Sequence, residues 1–517
     1  MQNTVNVYTQ NHCLVFKDSY STKESENLVM SKLATAIKKS QNYTTTENGA
    51  LSLKSTNSEL LDLFSNGAAK RNDQSGLVNL FRKALSEDEV LAVTCGFYIG
   101  AVRVGQGERA SFRSILNYLA DNRPETFLKV YKFVPEFSRW DNLLKFATHP
   151  NVGDAVTKLV RETYYSELDS QKPSLFWKWT PSINASSKET VRLAAYFASV
   201  LGLSQKQYRR DLSKMRAKLK IVEADMSANR WDKISYTAVP SKAAKLYRKA
   251  FKKHDETRYN EFIQKAVKGE VKINSKVMYP YELVEGYLNG KLYANDDTIE
   301  AQWRQLPNYA ETPQGVNALV IPDVSGSMSG QPMAVSISLA IYLSERMNGL
   351  FKNKFITFSN KPELQEVRGK TLYEKVQNLE RAHWEMNTNF QAVFDLILST
   401  AVKEGLTQVD MPTHVFCVSD MAFDMAAHSN SKTNFEVIKE KYQKAGYEMP
   451  ILVFWNVRAS AGGTPVTKDE KGVYLVSGCS PSIFRSAINT KAVTPEDLML
   501  EVLNDVKFAK VRDALAV

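Results

Sequence analysis

The stretch NALVIPDVSGSMSGQPMAVSISLAIYL, residues 317–343, decides how the chain reads. Residues 317–321 are a short apolar run that leads to Asp323. Next comes a tight polar loop, Asp323-Val324-Ser325-Gly326-Ser327, and Pro332 then stands where the first turn of a helix tolerates proline. The helix it opens is expected over 333–347. Strand, loop and helix in that order form one βα unit. The pattern recurs downstream, with apolar runs at 354–358 (KFITF), 414–418 (HVFCV) and 451–454 (ILVF) and helical periodicity at 372–379, 389–402 and 435–445. Buried strands alternating with amphipathic helices mean a parallel sheet covered by helices. Residues 310–517 are therefore expected to form one doubly wound α/β domain.

Toward the N-terminus, 291–312 reads as a linker. From about residue 76 to 290 the periodicity is helical and broken by short turns. Helices are expected at 108–119, from Pro124 through 127–134, and at 152–168, 188–201, 204–222, 241–254, 256–267 and 281–288. Ser86 and Glu89 have the spacing of a capping box ahead of an apolar run to Val102. Helices joined by short turns suggest stacked antiparallel pairs, an α-solenoid or ring spanning 51–300, with no strict sequence period. Residues 1–50 are polar and read as an arm with one helix at 25–39.

Composition excludes several classes. No uncharged apolar run approaches the roughly 18–20 residues of a membrane span. The first residues lack a basic flank and long apolar stretch, so no signal peptide is expected. Cys13, Cys95, Cys417 and Cys479 show no CxxC pairing, which argues against a disulfide framework or thiolate zinc site and for a reducing, cytoplasmic setting. Net charge is +11, and its placement is uneven. Residues 1–300 hold 45 basic and 33 acidic side chains, while 301–517 hold 22 and 23. All of the excess lies in the helical part, which points to a polyanion partner there.

Two constellations carry chemistry. Asp323, Ser325 and Ser327 sit on alternate residues at the carboxyl end of a strand, where parallel sheets place ligands. Thr388, opening a helix, and Asp420, ending the 414–418 strand, complete a set of hard oxygen donors. Such donors suit Mg²⁺ best, with Mn²⁺ or Ca²⁺ possible, and suit zinc poorly. The plainer reading is that Asp323, Ser325 and Ser327 only cap the following helix. His383 and His414, the nearest histidines in sequence, are expected to play no ligand role.

The second constellation is cationic. In 204–222, Tyr208, Leu212, Met215, Leu219 and Val222 form one apolar seam. Lys206, Arg210, Lys214 and Lys218 recur every four residues opposite it, Arg209, Arg216 and Lys220 widen the stripe, and Asp211 alone offsets it. The 241–254 helix repeats the composition with Lys242, Lys245, Arg248, Lys249, Lys252 and Lys253, and Tyr247, Phe251 and Trp231 interleave. Arg109 and Arg113 come after the Gly105-x-Gly107 turn as a weaker candidate, and that turn lacks the Lys-Ser/Thr of a phosphate loop. Like charges in one row destabilise a helix, so the rows serve either the phosphates of a polyanion or acidic neighbours within the fold, the plainer reading being a pair of solvated faces.

The five oxygen donors resemble the metal-ion-dependent adhesion site of von Willebrand factor A domains: Asp-x-Ser-x-Ser, then a distant Thr, then a distant Asp. The sequence departs from that pattern after Asp420, where Met421 replaces the usual glycine. A basic helical part ahead of such a domain resembles the Ro ribonucleoprotein family. The chain is more specifically similar to a group of Ro-like proteins found in plants, fungi, bacteria and large phages. The segments that carry this are Val104-Gly105-Gln106-Gly107-Glu108-Arg109, Arg139-Trp140-Asp141-Asn142-Leu143-Leu144, Val239-Pro240-Ser241, His254-Asp255-x-x-Arg258-Tyr259 and Val453-Phe454-Trp455-Asn456.

The resemblance implies a ring of helical repeats that binds small structured RNAs or single-stranded RNA ends. It implies an A-type domain whose cation takes an acidic group from a partner. Arg139-Trp140-Asp141 is expected to fix a turn, with Trp140 buried and Asp141 capping the next helix. With no Ser/His/Asp set and no nucleotide-binding loop, the chain is expected to bind rather than catalyse. The alternative is a protein-interaction scaffold without nucleic acid, recruiting an acidic partner through the metal.

Overall fold

A computed structural model describes residues 41–381, 388–424, 432–459 and 463–516. The chain divides after Tyr43. Most of the expected N-terminal arm, including the 25–39 helix and Cys13, lies outside the described residues, as does His383.

From Thr44 onward the chain is a helical region followed by a mostly parallel six-stranded sheet. Many expected helices appear within a residue or two, among them Gly153–Glu167, Lys188–Val200, Ser241–His254, Glu256–Val267 and Pro280–Leu288, while Arg109–Asn122 runs three residues past its expected end. Pro124 is the first residue of its helix, Pro124–Val130. The capping box at Ser86 does not form. Ser86 lies inside the helix Gln74–Glu87, and Asp88 caps the next helix, Glu89–Gly100, by accepting from the Leu91 amide. Aspartate accepts that bond as well as serine does, so the start signal sits two residues later than the spacing suggested.

The sheet consists of β1 (Ala318–Pro322), β2 (Lys354–Ile356), β3 (Leu364–Glu366), β4 (His414–Ser419), β5 (Ile451–Asn456) and β6 (Val473–Ser477). Their order is β3-β2-β1-β4-β5-β6, parallel throughout except that β3 runs antiparallel to β2 at one edge. Every residue of β1 and β4 is buried, as continuous apolar strands require when helices cover them. From β1 the chain passes first to β2 on one side and later to β4 on the other. The carboxyl ends of β1 and β4 therefore flank the point where strand order reverses, the crevice in which open α/β sheets bind ligands.

Residues 291–312, expected as a linker, contain the helix Asp297–Arg304. Asp296 caps it, Ile299, Ala301 and Trp303 are buried, and the Trp303 indole donates to Glu345 at 2.9 Å. One hydrophobic core runs from Leu60 to Val511 through helices and sheet alike. The C-terminal helix Ala509–Ala516 packs back on Glu89–Gly100 and Pro124–Val130, and Phe508 stacks on Phe137 at 5.6 Å. A smaller core holds Val222, Ile234, Phe251, Tyr259 and Ile273.

The Gly105-Gln106-Gly107-Glu108 turn joins the helical region to the sheet's carboxyl edge. A Cβ on Gly105 would meet the Tyr98 carbonyl at 1.9 Å, and Gly107, at φ +66°, would place one 2.2 Å from the Tyr279 hydroxyl. Glu108 pairs with the buried Arg71 at 3.0 Å, and Arg71 also donates to the Val457 carbonyl at 2.9 Å and to Cys479 Sγ at 2.7 Å. Cys95, Cys417 and Cys479 are free and buried. Among the described residues no helix is long and apolar enough to cross a membrane.

Candidate metal centre and nucleic-acid interface

β1 delivers Asp323 to the crevice, fully buried, and its amide continues the pairing by donating to the Val418 carbonyl at 2.9 Å. The Asp323 carboxylate accepts from the Ser325 amide at 2.9 Å and from the Ser419 hydroxyl at 2.6 Å. Ser325 and Ser327 hydroxyls lie 3.0 Å apart in the loop. Asp420 leaves β4 one residue beyond Ser419, is also buried, and accepts from the Ala422 amide at 3.1 Å. Thr388 is buried as well. Its amide donates to Asp424 at 2.8 Å, and the Asp424 amide returns a bond to its carbonyl at 3.1 Å. That double tie fixes Thr388 to the loop that begins with Asp420.

The capping reading fails for the long helix. Gln331–Arg346 starts at Gly330 with no side-chain cap, so Asp323, Ser325 and Ser327 do not serve it. Met421, in the place of the usual glycine, adopts φ +65° and is buried. The departure from the Asp-Gly pattern therefore keeps the left-handed backbone that glycine would supply at lower strain.

Burial pushes Asp323 up to about 6 against the hydrogen bonds from Ser419 and Ser325, and the charge of Asp420 adds to the rise. A carboxylate taken out of water beside a like charge is hard to ionise, and a divalent cation between the two reverses that effect. Among the described residues no three His, Cys, Asp or Glu side chains gather as a cage. The candidate donors are two carboxylates and three hydroxyls, and oxygen donors of that kind are the ones Mg²⁺ takes. Ser419, which orients Asp323, escaped the sequence reading because only register shows which neighbour of β4 faces β1. Arg458, just past β5, donates its guanidinium to the Ser327 carbonyl, a contact between two loops that no sequence spacing signals. His414 begins β4, at the far end of the strand from Asp420. Burial holds its imidazole down, at about 4.

The cationic helices divide into bound and unbound charges. In Gln205–Lys218, Tyr208, Leu212 and Met215 are buried as the seam required. Asp211 does not offset the stripe; it is buried and accepts from the Tyr164 hydroxyl at 2.8 Å. Arg216 does not widen it; its guanidinium turns inward to the Trp177 and Thr180 carbonyls and the Ser182 hydroxyl, at 2.6–3.0 Å. Lys214 pairs with Asp169 at 3.1 Å, Lys218 donates to the Ser170 carbonyl at 2.9 Å, and Arg210 donates to Gln207. In Ser241–His254, Lys242, Lys245 and Arg248 pair with Glu282, Glu285 and Asp296.

Lys206, Arg209, Lys249, Lys252 and Lys253 are exposed, and none of them has an ion pair among the described residues. A cleft of about 420 Å³ runs from the end of the first helix to the segment before the second, with Lys178, Lys220, Arg230 and Lys233 on its walls beside Glu223 and Asp225. Beyond it the Trp231 and His254 rings stack at 4.5 Å. Asp255 accepts from the Tyr236 hydroxyl at 2.7 Å and pairs with Arg258, a cluster at the end of the helix.

The third candidate is also mixed. Arg113 donates to Asp141 at 2.9 Å and Asn142 at 2.6 Å, whereas Arg109 is exposed with no ion pair among the described residues. Asp141 does not cap its helix; it takes bonds from Arg113 and Arg139 instead. Trp140 is half-buried, edge-on to Phe176 at 5.1 Å.

Comparison with known proteins divides the chain where the helical region gives way to the sheet. Residues 46–140 and 157–309 match a domain of unknown function, DUF2828, and residues 317–514 match another, DUF7788. The chain is 29% identical over 502 residues to the uncharacterized protein L728 of Acanthamoeba polyphaga mimivirus, with 89% of this chain and 87% of that protein covered.

Proposed function

We propose that the chain is a non-enzymatic, cytoplasmic RNA-binding protein of Ro-like design. Its sheet region acts as a von Willebrand A-type domain, and its helices act as the repeat ring or solenoid that holds RNA. Asp323, Ser325, Ser327, Thr388 and Asp420 would hold Mg²⁺, leaving a position for an acidic group from a partner. The cation would supply positive charge at the crevice. The chain's own residues orient the donors: Ser419 and the Ser325 amide aim Asp323, and Asp424 ties Thr388 in place.

The observation that carries the reading is the pair of buried carboxylates at the strand-order switch, where the charge of Asp420 opposes ionisation of Asp323. RNA binding is supported by exposed cations that no described acid matches, five of them on the two basic helices being Lys206, Arg209, Lys249, Lys252 and Lys253. Their joint replacement by alanine (Lys206, Arg209, Lys249, Lys252, Lys253) should weaken binding of a single-stranded RNA across sequences. The slope of log affinity against log salt should flatten by about 0.7 per lost phosphate contact. Unchanged affinity would defeat this placement.

The internal pairing of Lys214, Lys242 and Arg113 favours the second reading, a protein scaffold with no nucleic acid. Absence of any RNA binding by the wild type at low salt would leave that reading standing.

A further inference from the structure

Arg109, Arg113 and Asn117 recur every four residues along one face of the helix Arg109–Asn122, and Asp121 continues the row. That face meets residues 139–149 rung by rung. Asp121 pairs with His149 at 2.9 Å, and Asn117 accepts from Lys145 at 3.1 Å. Arg113 reaches Asp141 and Asn142, at 2.9 and 2.6 Å. Arg139 grips the same Asp141 carboxylate with Nε at 2.8 Å and Nη2 at 2.5 Å. The first rung is open, because Arg109 has no acid opposite it among the described residues.

The guanidiniums are also held in place. Arg139 lies over the Trp179 ring, 3.5 Å from its centroid, in a cation–π contact that fixes its plane. Asp141 bridges Arg139 and Arg113, so two forks are anchored through one carboxylate.

The charge does not balance. Partial loss of water around its guanidinium lowers the basicity of Arg109, exposed as the residue is, and the neighbouring Arg139 and Arg113 lower it further against Asp141. Burial brings Lys145 down to about 8, with Arg113 adding to the fall and Glu189 and Asp141 opposing it. Three guanidiniums and the Lys145 ammonium thus crowd around the one carboxylate of Asp141, Glu189 adding its charge at Lys145 and Asp121 being taken by His149. Cations crowded beyond their counter-charges are stabilised by a bound anion, and planar guanidinium forks match phosphate oxygens.

We propose that Arg109, Arg113, Arg139 and Lys145 form a phosphate-binding site, in which Asp141 positions two guanidiniums and Arg109 supplies the unsatisfied fork. The site deepens the RNA reading and rests on it for one source of the phosphate; a free phosphate compound is the other source, and the chemistry is common to both.

The test compares full-length wild type with Arg109→Gln, a change at an exposed side chain, and with Arg109→Lys. Inorganic pyrophosphate is the first probe. At constant ionic strength set by chloride, it should raise the melting temperature of the wild type and leave that of Arg109→Gln unmoved, with Arg109→Lys in between. A single-stranded RNA 12-mer is the second probe. A five- to tenfold loss of its affinity in Arg109→Gln assigns the phosphate to RNA. Loss of the pyrophosphate response with RNA affinity unchanged assigns it to a free compound. Equal pyrophosphate responses in wild type and Arg109→Gln, or none in either, would overturn the site. A wild type that binds no RNA but keeps an Arg109-dependent pyrophosphate response would defeat the RNA reading alone.

Discussion

At the scale of single residues, buried charge decides what the crevice can do. Asp323 and Asp420 are both out of water, and the charge of Asp420 makes ionisation of Asp323 harder. Asp323→Asn removes one of the two like charges. In EDTA at neutral pH it should be more stable than wild type, by about 1–3 kcal/mol in chemical denaturation. A less stable variant under those conditions would mean that the carboxylates are not in conflict. His414 gives a separate pH prediction. Its folded value, about 4, lies below the 6.5 of the free side chain, so the unfolded state binds the proton first. Stability should therefore fall as pH drops from 6.5 to 4, with a ceiling of about 3 kcal/mol for this one group. His414→Gln should flatten that part of the profile; an unchanged profile would show that the imidazole is not held neutral. At Gly107, the positive φ and the Tyr279 hydroxyl leave no room for a side chain. Gly107→Ala should cost more than about 2 kcal/mol in denaturant unfolding.

At the scale of elements, the clearest contrast lies within one helix. Gln205–Lys218 carries Arg209 outward to solvent and Arg216 inward to three acceptors. Arg216→Ala should lower the melting temperature, because two buried carbonyls lose their donor. Arg209→Ala should leave stability within about 0.5 kcal/mol of wild type. The reverse result would show that the helix faces had been misread. Sequence periodicity told where this helix lies and which residues form its seam. It could not tell Arg209 from Arg216, since both fall off the seam and only the loop 177–182 decides which one is used. The same limit explains the strands. β1, β2, β4 and β5 were legible as apolar runs between turn signals. β3, Leu-Gln-Glu, has no apolar pattern and exists only because β2 offers an edge. Asp297–Arg304 was hidden by the Asn- and Gly-containing residues 289–296 before it, which read as linker but include its cap, Asp296. For the candidate centre, residue types and order were readable, whereas the orienting Ser419 needed the register of β1 against β4.

At the scale of the whole molecule, helices and sheet share one core, and the helix Ala509–Ala516 packs back on Glu89–Gly100 and Pro124–Val130. The described region from Thr44 onward should therefore unfold in one calorimetric transition; two resolved transitions would contradict a shared core. A ligand bound only by the folded state raises the stability of everything that unfolds with it. The crevice at the switch between β1 and β4 is thus coupled to the helical region through the shared core and through ties such as that of Arg71 to the Val457 carbonyl. The most direct test is a thermal melt of full-length protein at constant ionic strength, with EDTA or with millimolar Mg²⁺, for wild type and Asp323→Asn. The account predicts that Mg²⁺ raises the wild-type midpoint by several degrees and leaves the variant where EDTA put it. A wild type that melts identically with Mg²⁺, Mn²⁺ and EDTA would contradict it.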